Sequence, residues 1–233
     1  AGGTWLGITP GGRVAFLTNV REGQPQDAPR SRGELVTRWL ETSGNASDFA
    51  LALDGAAYGG FNLVLGDFQT ESWSWMTNRH GAASTLHAQP LAPGVYGLSN
   101  AALNTPWPKT TALQSALADA LPAQDAAALQ ARLWTALASR DRAAPEHLPA
   151  TGVPQAMEEA LSSAFVDYPE RAYGTRSSTV LLACARDRRQ DGRWDVQVQE
   201  RTHRRAMDKT GHGADTPLIR NELIAWPQSG GNP

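Results

Sequence analysis

The sequence predicts an α+β protein in which antiparallel sheets carry helices on their outer faces. Strand-like runs come in pairs that are joined by short turns, and helical runs are grouped between these pairs. A steady alternation of one strand with one helix, which would indicate a parallel sheet, is not present. The 233 residues are enough to bury a sizeable core. We therefore expect hairpins with helices packed against them.

The first part of the chain predicts two hairpins separated by helices. The runs TWLGIT and VAFLTN flank turn-forming residues at positions 10–12. The run SRGELVTRWLE predicts a helix, because its apolar residues share one face and Ser31 and Glu34 have the spacing of a capping box. A short helix over ASDFALAL follows, and FNLVLGDF with ESWSWMTN predicts the second hairpin.

The second part of the chain predicts more helices and a closing set of strands. Leucines at helical spacing between residues 110 and 139 predict two helices that are broken at Pro122. PQAMEEALSSAF predicts another helix, with Pro154 suited to its first turn. SSTVLLACARD and RWDVQVQERTH predict two strands around a turn at Asp191 and Gly192. PLIRNELIAW fits either a strand or a helix.

Composition disfavours several classes of protein. A net charge of -2 and a pI near 6.2 argue against a nucleic-acid partner, which would require a basic face. No stretch approaches eighteen consecutive apolar residues, and the N-terminus lacks the features of a signal peptide, so we expect a cytoplasmic protein without a membrane span. The single cysteine, Cys184, stands in an apolar run and is expected to be buried.

Common catalytic and metal-binding motifs are absent from the sequence. There is no Walker A motif, no G-x-S-x-G elbow, no H-E-x-x-H and no cysteine pair. The histidines stand at positions 80, 87, 147, 203 and 212, and none lies three or four residues from another. A helical metal site would require such spacing. We therefore expect no metal site.

Short polar strings stand at the ends of the predicted strands. LTN ends at Asn19, YGLSN ends at Asn100, WMTNRHG contains Asn78 and Arg79, and YGTRSST contains Arg176. Asparagine amides can hold an oxyanion, and an arginine can bind a carboxylate with two hydrogen bonds. The alternative is that the asparagines only form turns, because this residue tolerates left-handed backbone. Four such strings together favour a pocket at one edge of the sheets.

The combined order of these strings resembles one protein family. GGTWLGIT, LTN, RGELV, YGGFNLVLGD, NRHG, YGLSNAALNTPWPKT and YGTRSSTVLL, from Gly2 to about Arg201, look like the NRDE family. The animal members of that family are called transport and Golgi organisation proteins. The resemblance covers nearly the whole chain.

The resemblance implies the fold and mechanism of an N-terminal-nucleophile hydrolase. This fold is a four-layer sandwich, with two antiparallel sheets between helical layers. A cysteine at the start of the chain attacks an amide, and its own α-amine, with an ordinary pKa of about 8, acts as the base. Asn19 would lie near the oxyanion or the substrate carbonyl, Asn100 would complete the oxyanion hole and Arg176 would orient the nucleophile.

The resemblance also implies a substrate-binding wall. Its expected members are Trp5, Asn78, Arg79 and Trp107. Trp107 lies between two prolines, which would form a rigid turn beside Asn100. The substrate would be a small amide, and no cofactor would be required.

The chain departs from the family at its beginning. Family members normally start with a segment that carries the N-terminal cysteine and the NRDE tetrapeptide, whereas this chain begins at Ala1, directly before GGTWLG. We therefore expect residues 1–233 to form a single family domain that lacks its N-terminal segment and first strand. Hydrolysis would then require this segment, supplied as a leading or separate piece. A threonine nucleophile at Thr4, freed by cleavage after Gly3, is an alternative that an intact Ala1 disfavours.

A second functional class follows from the resemblance, because family members have been implicated in moving haem. The sequence has no C-x-x-C-H motif. Candidate axial ligands are His80, His87, His203 and His212. Candidate residues to line an apolar cleft are Trp5, Trp73, Trp75 and Trp107. The haem carrier is thus the alternative to the amide hydrolase.

Overall fold

A computed structural model describes residues 3–24, 27–79, 86–185, 194–203 and 217–226. The chain divides into two compact units. The first unit is formed mainly by Ala1–Pro106 and Ala150–Pro154, and the second by Trp107–Pro149 and Gln155–Ala225. The expectation of a single domain over residues 1–233 stays a prediction.

The first unit contains a five-stranded antiparallel sheet. Its strands are β1 (Leu6–Ile8), β2 (Arg13–Asn19), β3 (Phe61–Asp67), β4 (Ser72–Thr77) and β5 (Gln89–Pro90), in the order β1-β2-β3-β4-β5. Both predicted hairpins, β1–β2 and β3–β4, are confirmed. The first turn includes Gly12 at a φ of 92°, a conformation that glycine adopts without strain.

Two helices pack on this sheet, and both were predicted. They are α1 (Gly33–Glu41) and α2 (Ala46–Leu51). Leu35, Val36 and Trp39 of α1 are buried with the apolar residues of one face of the sheet, which include Leu63 and Met76. Burial of this one apolar face, not intrinsic helix propensity, is what holds such short helices in place.

The predicted capping box of α1 is wrong. The residue that precedes the helix is Arg32, and no side chain caps the helix N-terminus. The carboxylate of Glu34 instead accepts a hydrogen bond of 2.6 Å from the Tyr58 hydroxyl and pairs with Arg30 at 2.6 Å. Contacts with a distant tyrosine therefore replace the local bond that the spacing of Ser31 and Glu34 predicted.

Among its described residues, the second unit contains three α-helices and five strands. The helices are α3 (Pro108–Ala120), α4 (Ala126–Leu137) and α5 (Gln155–Ala160). The strands are β6 (Asp167–Tyr168), β7 (Tyr173–Gly174), β8 (Ser177–Ala185), β9 (Trp194–Thr202) and β10 (Leu218–Trp226). β6 pairs with β7, and the larger sheet has the order β10-β9-β8 with α4 packed against β8. β8 and β9 are antiparallel, as predicted, whereas their predicted turn at Asp191 and Gly192 lies outside the described residues.

The structure settles the ambiguous last element and corrects the burial of the cysteine. The run PLIRNELIAW is a strand, β10. Cys184 is exposed, so the prediction that it is buried is wrong. It lies one residue before the end of β8, a strand in which only Val180 is buried. An apolar run therefore did not guarantee a buried position at the strand end.

The described residues form an α+β fold with antiparallel sheets, as the sequence predicts. Among them, none of the helices combines the length and the apolar character that a bilayer crossing requires.

Candidate functional site

At one end of the first sheet, residues from three neighbouring strands come together. We refer to this strand-end side as the edge of the sheet. β2 ends at Asn19, which pairs with Phe61 at the start of β3, and Asn62 pairs with Thr77 at the end of β4. Because these strands are antiparallel, the end of β2, the start of β3 and the end of β4 meet. We call this region the strand-end site and define it by Asn19, Asn62, Asn78, Arg79 and Asn100.

The segment around Asn100 is bonded to the end of β2. The Asn100 side-chain amide donates to the backbone carbonyl of Asn19 at 3.0 Å, and the backbone N–H of Arg21 donates to the carbonyl of Asn100 at 2.7 Å. The Thr18 hydroxyl donates to the carbonyl of Ser99 at 2.6 Å. The structure therefore brings together two of the three residues to which a catalytic role was assigned, Asn19 and Asn100.

The side chain of Asn19 is not used in holding this structure together. Its Oδ1 atom is buried and has no hydrogen-bond partner, and its amide nitrogen makes no hydrogen bond to any part of the chain that the structure describes. Buried polar groups are bonded in the great majority of cases, and exceptions often mark a function. The backbone of Asn19 is fixed while its carboxamide stays available.

Asn62 is a member of the site that the sequence analysis missed. It is fully buried, and its amide donates to the carbonyl of Ala101 at 2.8 Å and to the Thr18 hydroxyl at 3.3 Å. Its Oδ1 accepts from the indole N–H of Trp75 at 3.3 Å. Asn62 thus ties the segment next to Asn100 to β3. The available signal was an asparagine inside the apolar run FNLVL at the start of β3.

Asn78 has a structural role at the same edge. Its Oδ1 accepts from the backbone N–H of Phe61 at 2.9 Å. Its amide donates to the carbonyls of Gly55, Tyr58 and Gly59, at 3.0, 3.1 and 3.3 Å. Both ends of this side chain are therefore engaged in holding the loop that precedes β3, so Asn78 shapes the edge and offers no free group.

Arg79 lies in a cluster of charges beside this loop. Its guanidinium contacts both carboxylate oxygens of Glu22, and Arg32 donates to the carbonyl of Gly60 at 3.0 Å. Burial lowers the pKa of Arg32 from its ordinary value, and nearby Arg79 acts in the same direction while Glu22 opposes it. A Cβ atom at Gly60 would lie 3.1 Å from Glu22 Oε2 and 3.3 Å from Arg79 Nε. Glu22 therefore pairs with Arg79 and also acts on the charge of Arg32, beside a glycine that permits the close approach of Glu22 and Arg79.

The remaining predicted site residues lie elsewhere. Trp5, in the first unit, is 53% exposed. Trp107 and Arg176 belong to the second unit, where Trp107 is half-buried and directly precedes α3. The backbone carbonyl of Arg176 accepts from the N–H of His203 at 2.8 Å. The structure therefore groups Asn19, Asn100, Asn78 and Arg79 in one unit and Arg176 in the other.

Of the residues proposed for haem binding, those that the structure describes are not grouped in one place. His87 is exposed, and His203 Nε2 lies 3.1 Å from the hydroxyl of Ser178. His80 and His212 lie outside the described residues. Trp75 is buried, and Trp73 packs against Phe16 and Phe68. Across the described ranges, no three histidine, cysteine or acidic side chains are grouped so that they could hold a metal ion.

A cavity of about 350 Å³ lies in the second unit, beside α3. Five of its twelve lining residues are alanines, and Lys109 and Arg142 are among the polar ones. The Lys109 ammonium donates to the carbonyl of Leu161 at 2.9 Å, and Arg142 pairs with Glu159 at 3.4 Å. Both cations of the lining are therefore engaged in contacts within the second unit.

Comparison with known proteins identifies the family. The family model described as "Transport and Golgi organisation 2" matches residues 1–203. The "Transport and Golgi organization protein 2 homolog" of Homo sapiens is 33% identical over 190 residues, which cover 79% of this chain and 68% of that protein. The protein of the same name in Bos taurus is 33% identical over 195 residues, again 79% of this chain and 68% of that protein.

A third relative extends the agreement. The "Transport and Golgi organization 2 homolog" of Mus musculus is 30% identical over 191 residues, which cover 79% of this chain and 69% of that protein. The matched region contains every predicted site residue, from Trp5 to Arg176. The chain therefore belongs to the Transport and Golgi organisation 2 family, as its motifs predict.

Proposed function

We propose that this protein hydrolyses a small amide when its N-terminus carries a segment that begins with cysteine. The observation that carries this proposal is the amide nitrogen of Asn19, which donates no hydrogen bond to the described residues, at an edge where the neighbouring asparagines are hydrogen-bonded. A polar group that is positioned but unsatisfied can bind charge as it develops in a transition state without first breaking an existing bond.

The proposed mechanism assigns each residue one step. The cysteine sulfur attacks the amide carbon while the α-amine takes the thiol proton, which gives a tetrahedral intermediate with a negative oxygen. The amide of Asn19 and the second N–H of Asn100 donate to this oxygen. The C–N bond then breaks, and the amine leaves with the proton. Water hydrolyses the resulting thioester and releases the acid. Arg176 orients the cysteine.

We propose a four-layer sandwich as the fold that performs this chemistry. Each unit has a sheet with helices packed against it, which is half of such an arrangement. All seven residues of β3 are buried, on both faces of the strand, although α1 and α2 pack on one face only. The order of the layers in this proposal rests on the family resemblance.

The substrate-binding roles are assigned by the state of each side chain. Trp5 is exposed and can pack against an apolar part of the substrate, and Arg79 can share its guanidinium with an acidic part. Asn78 acts indirectly, by holding the loop that precedes β3. The role of Trp107 and a cytoplasmic location stay proposals that rest on the family resemblance and on composition.

The test is labelling and turnover by protein that carries the leading cysteine. Intact mass after treatment with an amide-like electrophile should show a single adduct, absent when the leading cysteine is replaced by alanine. Asn19→Ala should lower kcat/KM by about a hundredfold or more on an amide that the protein cleaves, as removal of one oxyanion donor does. Asn45→Ser, which keeps a capping oxygen at the exposed N-cap position of α2, is the matched control and should leave kcat/KM unchanged.

The result that would overturn the proposal is equally specific. Protein with an intact leading cysteine that forms no adduct and cleaves none of a panel of small amides is not this hydrolase. Haem titration then tests the alternative. A saturable Soret shift that is lost on replacing one histidine would support carriage, and a featureless titration would exclude it.

A further inference from the structure

A polar layer lies between a helix and the sheet of the second unit. Gln130 and Trp134 stand four residues apart on α4 and therefore share one helix face. Gln199 and Arg201 stand two residues apart on β9 and share one sheet face. The Arg201 guanidinium carbon lies 4.0 Å from the centre of the Trp134 ring, so these two faces meet. We call these four residues the α4–β9 layer.

Hydrogen-bond donors in the α4–β9 layer are buried without partners. These donors are Gln130 Nε2, Trp134 Nε1 and Arg201 Nε. Trp134 is only 7% exposed, which leaves its indole N–H little access to bulk water. Of the four residues of the layer, only Gln199 contributes an unpartnered acceptor, its Oε1 atom, and its amide nitrogen donates to Asn221 at 2.7 Å. Asp195, six residues before Arg201 on β9, lies outside the layer as defined. The layer therefore has more donors than acceptors.

The charge of Arg201 is also uncompensated. Within the described ranges its side chain makes no hydrogen bond and no ion pair, and its one recorded contact of this kind is the stacking on Trp134. Glu200 is adjacent in sequence, but successive strand residues point to opposite faces. Burying part of a guanidinium without an anion costs free energy that an anion would recover.

We propose that the α4–β9 layer binds a small oxyanion, a carboxylate or a phosphate group. Arg201 supplies the charge, Trp134 fixes the plane of the guanidinium by stacking, and the indole and Gln130 N–H groups supply further donors. Water alone could satisfy the donors, but it would leave the charge of Arg201 without a counterion. Arg201 is half-buried, which leaves part of its side chain accessible to a ligand. This proposal does not depend on the hydrolase activity.

The experiment follows the indole N–H signal of Trp134 by NMR, assigned from its loss in Trp134→Phe. Sodium acetate and sodium phosphate are titrated separately at constant ionic strength, and the tighter of the two identifies the preferred group. We expect a saturable shift that Arg201→Gln weakens by about tenfold or more, the loss expected for one charge-assisted hydrogen bond. Arg132→Gln is the matched control, because Arg132 is an exposed cation on α4, the helix that carries Trp134.

Several results would overturn the proposal. No saturable shift with either anion would mean that the layer holds water only, and an equal shift in Arg201→Gln would mean that the anion binds elsewhere. If Arg201→Gln does not fold, Trp134→Phe gives the second measurement. Phosphate or acetate should then raise the thermal midpoint of the unaltered protein more than that of Trp134→Phe, and an equal rise in both would contradict the site.

Discussion

The strand-end site and the α4–β9 layer treat buried polar groups in opposite ways. At the strand-end site, Asn62 and Asn78 use their amides fully, and each bond joins segments that are distant in sequence. In the α4–β9 layer, Gln130, Trp134 and Arg201 present donors that have no partner. Satisfied groups of this kind specify the structure, whereas unsatisfied groups reduce stability until a ligand binds.

Asn19 connects the two cases. It belongs to the strand-end site, yet its carboxamide resembles the groups of the α4–β9 layer in having no partner. The comparison therefore teaches that a polar residue is best judged by its individual bonds and not by its neighbourhood. Substitutions that separate stability from function can test this distinction.

The largest effect is expected for Asn62→Leu. This change removes the buried hydrogen bonds that Asn62 makes with the Trp75 indole N–H and the Ala101 carbonyl, so the free energy of unfolding should fall by about 3 kcal/mol. Urea unfolding measures it, with Asn45→Ser as the control. A loss below about 1 kcal/mol would show that water replaces these bonds, and the strand-end site would then not be held by Asn62.

Asn78→Ala should have the next largest effect. We expect a loss of about 2 kcal/mol in unfolding free energy, less than for Asn62 because Asn78 is half-buried and water can reach some of the freed groups. Asn78→Asp keeps the acceptor for the Phe61 N–H but loses the donors. Its unfolding free energy should lie between those of the unaltered protein and Asn78→Ala. Equal stability of all three proteins in urea unfolding would contradict the structural role.

Gln130→Met in the α4–β9 layer should stabilise the protein, whereas the two asparagine substitutions destabilise it. Removing a buried donor that has no partner, while keeping a side chain of similar length, should raise the unfolding free energy by about 1 kcal/mol in a buffer without carboxylate or phosphate. Urea unfolding again provides the measurement. A clear destabilisation would mean that the Gln130 amide is bonded in solution.

For Asn19→Ala we expect a change in stability of no more than about 0.5 kcal/mol, because the side chain makes no bond that the substitution would break. The same variant should lose most of its turnover in the presence of the leading cysteine. Parallel unfolding and kinetic measurements on one preparation provide the test. A large loss of stability would mean that the Asn19 side chain has a structural role, as those of Asn62 and Asn78 do.

The smallest effect on stability is expected from the titration of Tyr58 at alkaline pH. Burial and then the hydrogen bond to Glu34 raise the pKa of Tyr58 above its ordinary value of about 10, while Arg38 acts in the opposite direction. The folded protein then holds this proton more tightly than the unfolded chain does. The stabilisation is fully present below pH 10 and is lost as the pH rises from about 10 through the raised pKa. Phenolate absorbance should show one late-titrating tyrosine, absent in Tyr58→Phe.

Local patterns predicted much of the fold. Turn residues and alternation placed the hairpins β1–β2 and β3–β4, and periodicity placed α1 to α4, because each signal lies within one short segment. Asn62 and Ala101 are bonded across 39 residues, and Arg201 and Trp134 are still further apart in the sequence, so neither contact has a local signature. The capping box failed for the same reason, since Tyr58 competes for Glu34.

The pairing of Asn19 with Phe61 has a consequence for the order of folding. Each hairpin of the first sheet joins neighbouring segments, whereas pairing β2 with β3 requires closure of the whole stretch from residue 20 to residue 60. Closing a long loop costs entropy before its contacts can compensate, so such pairings form late. The hairpins should therefore form first on the folding pathway, and the edge that carries Asn19 should be completed only when they join.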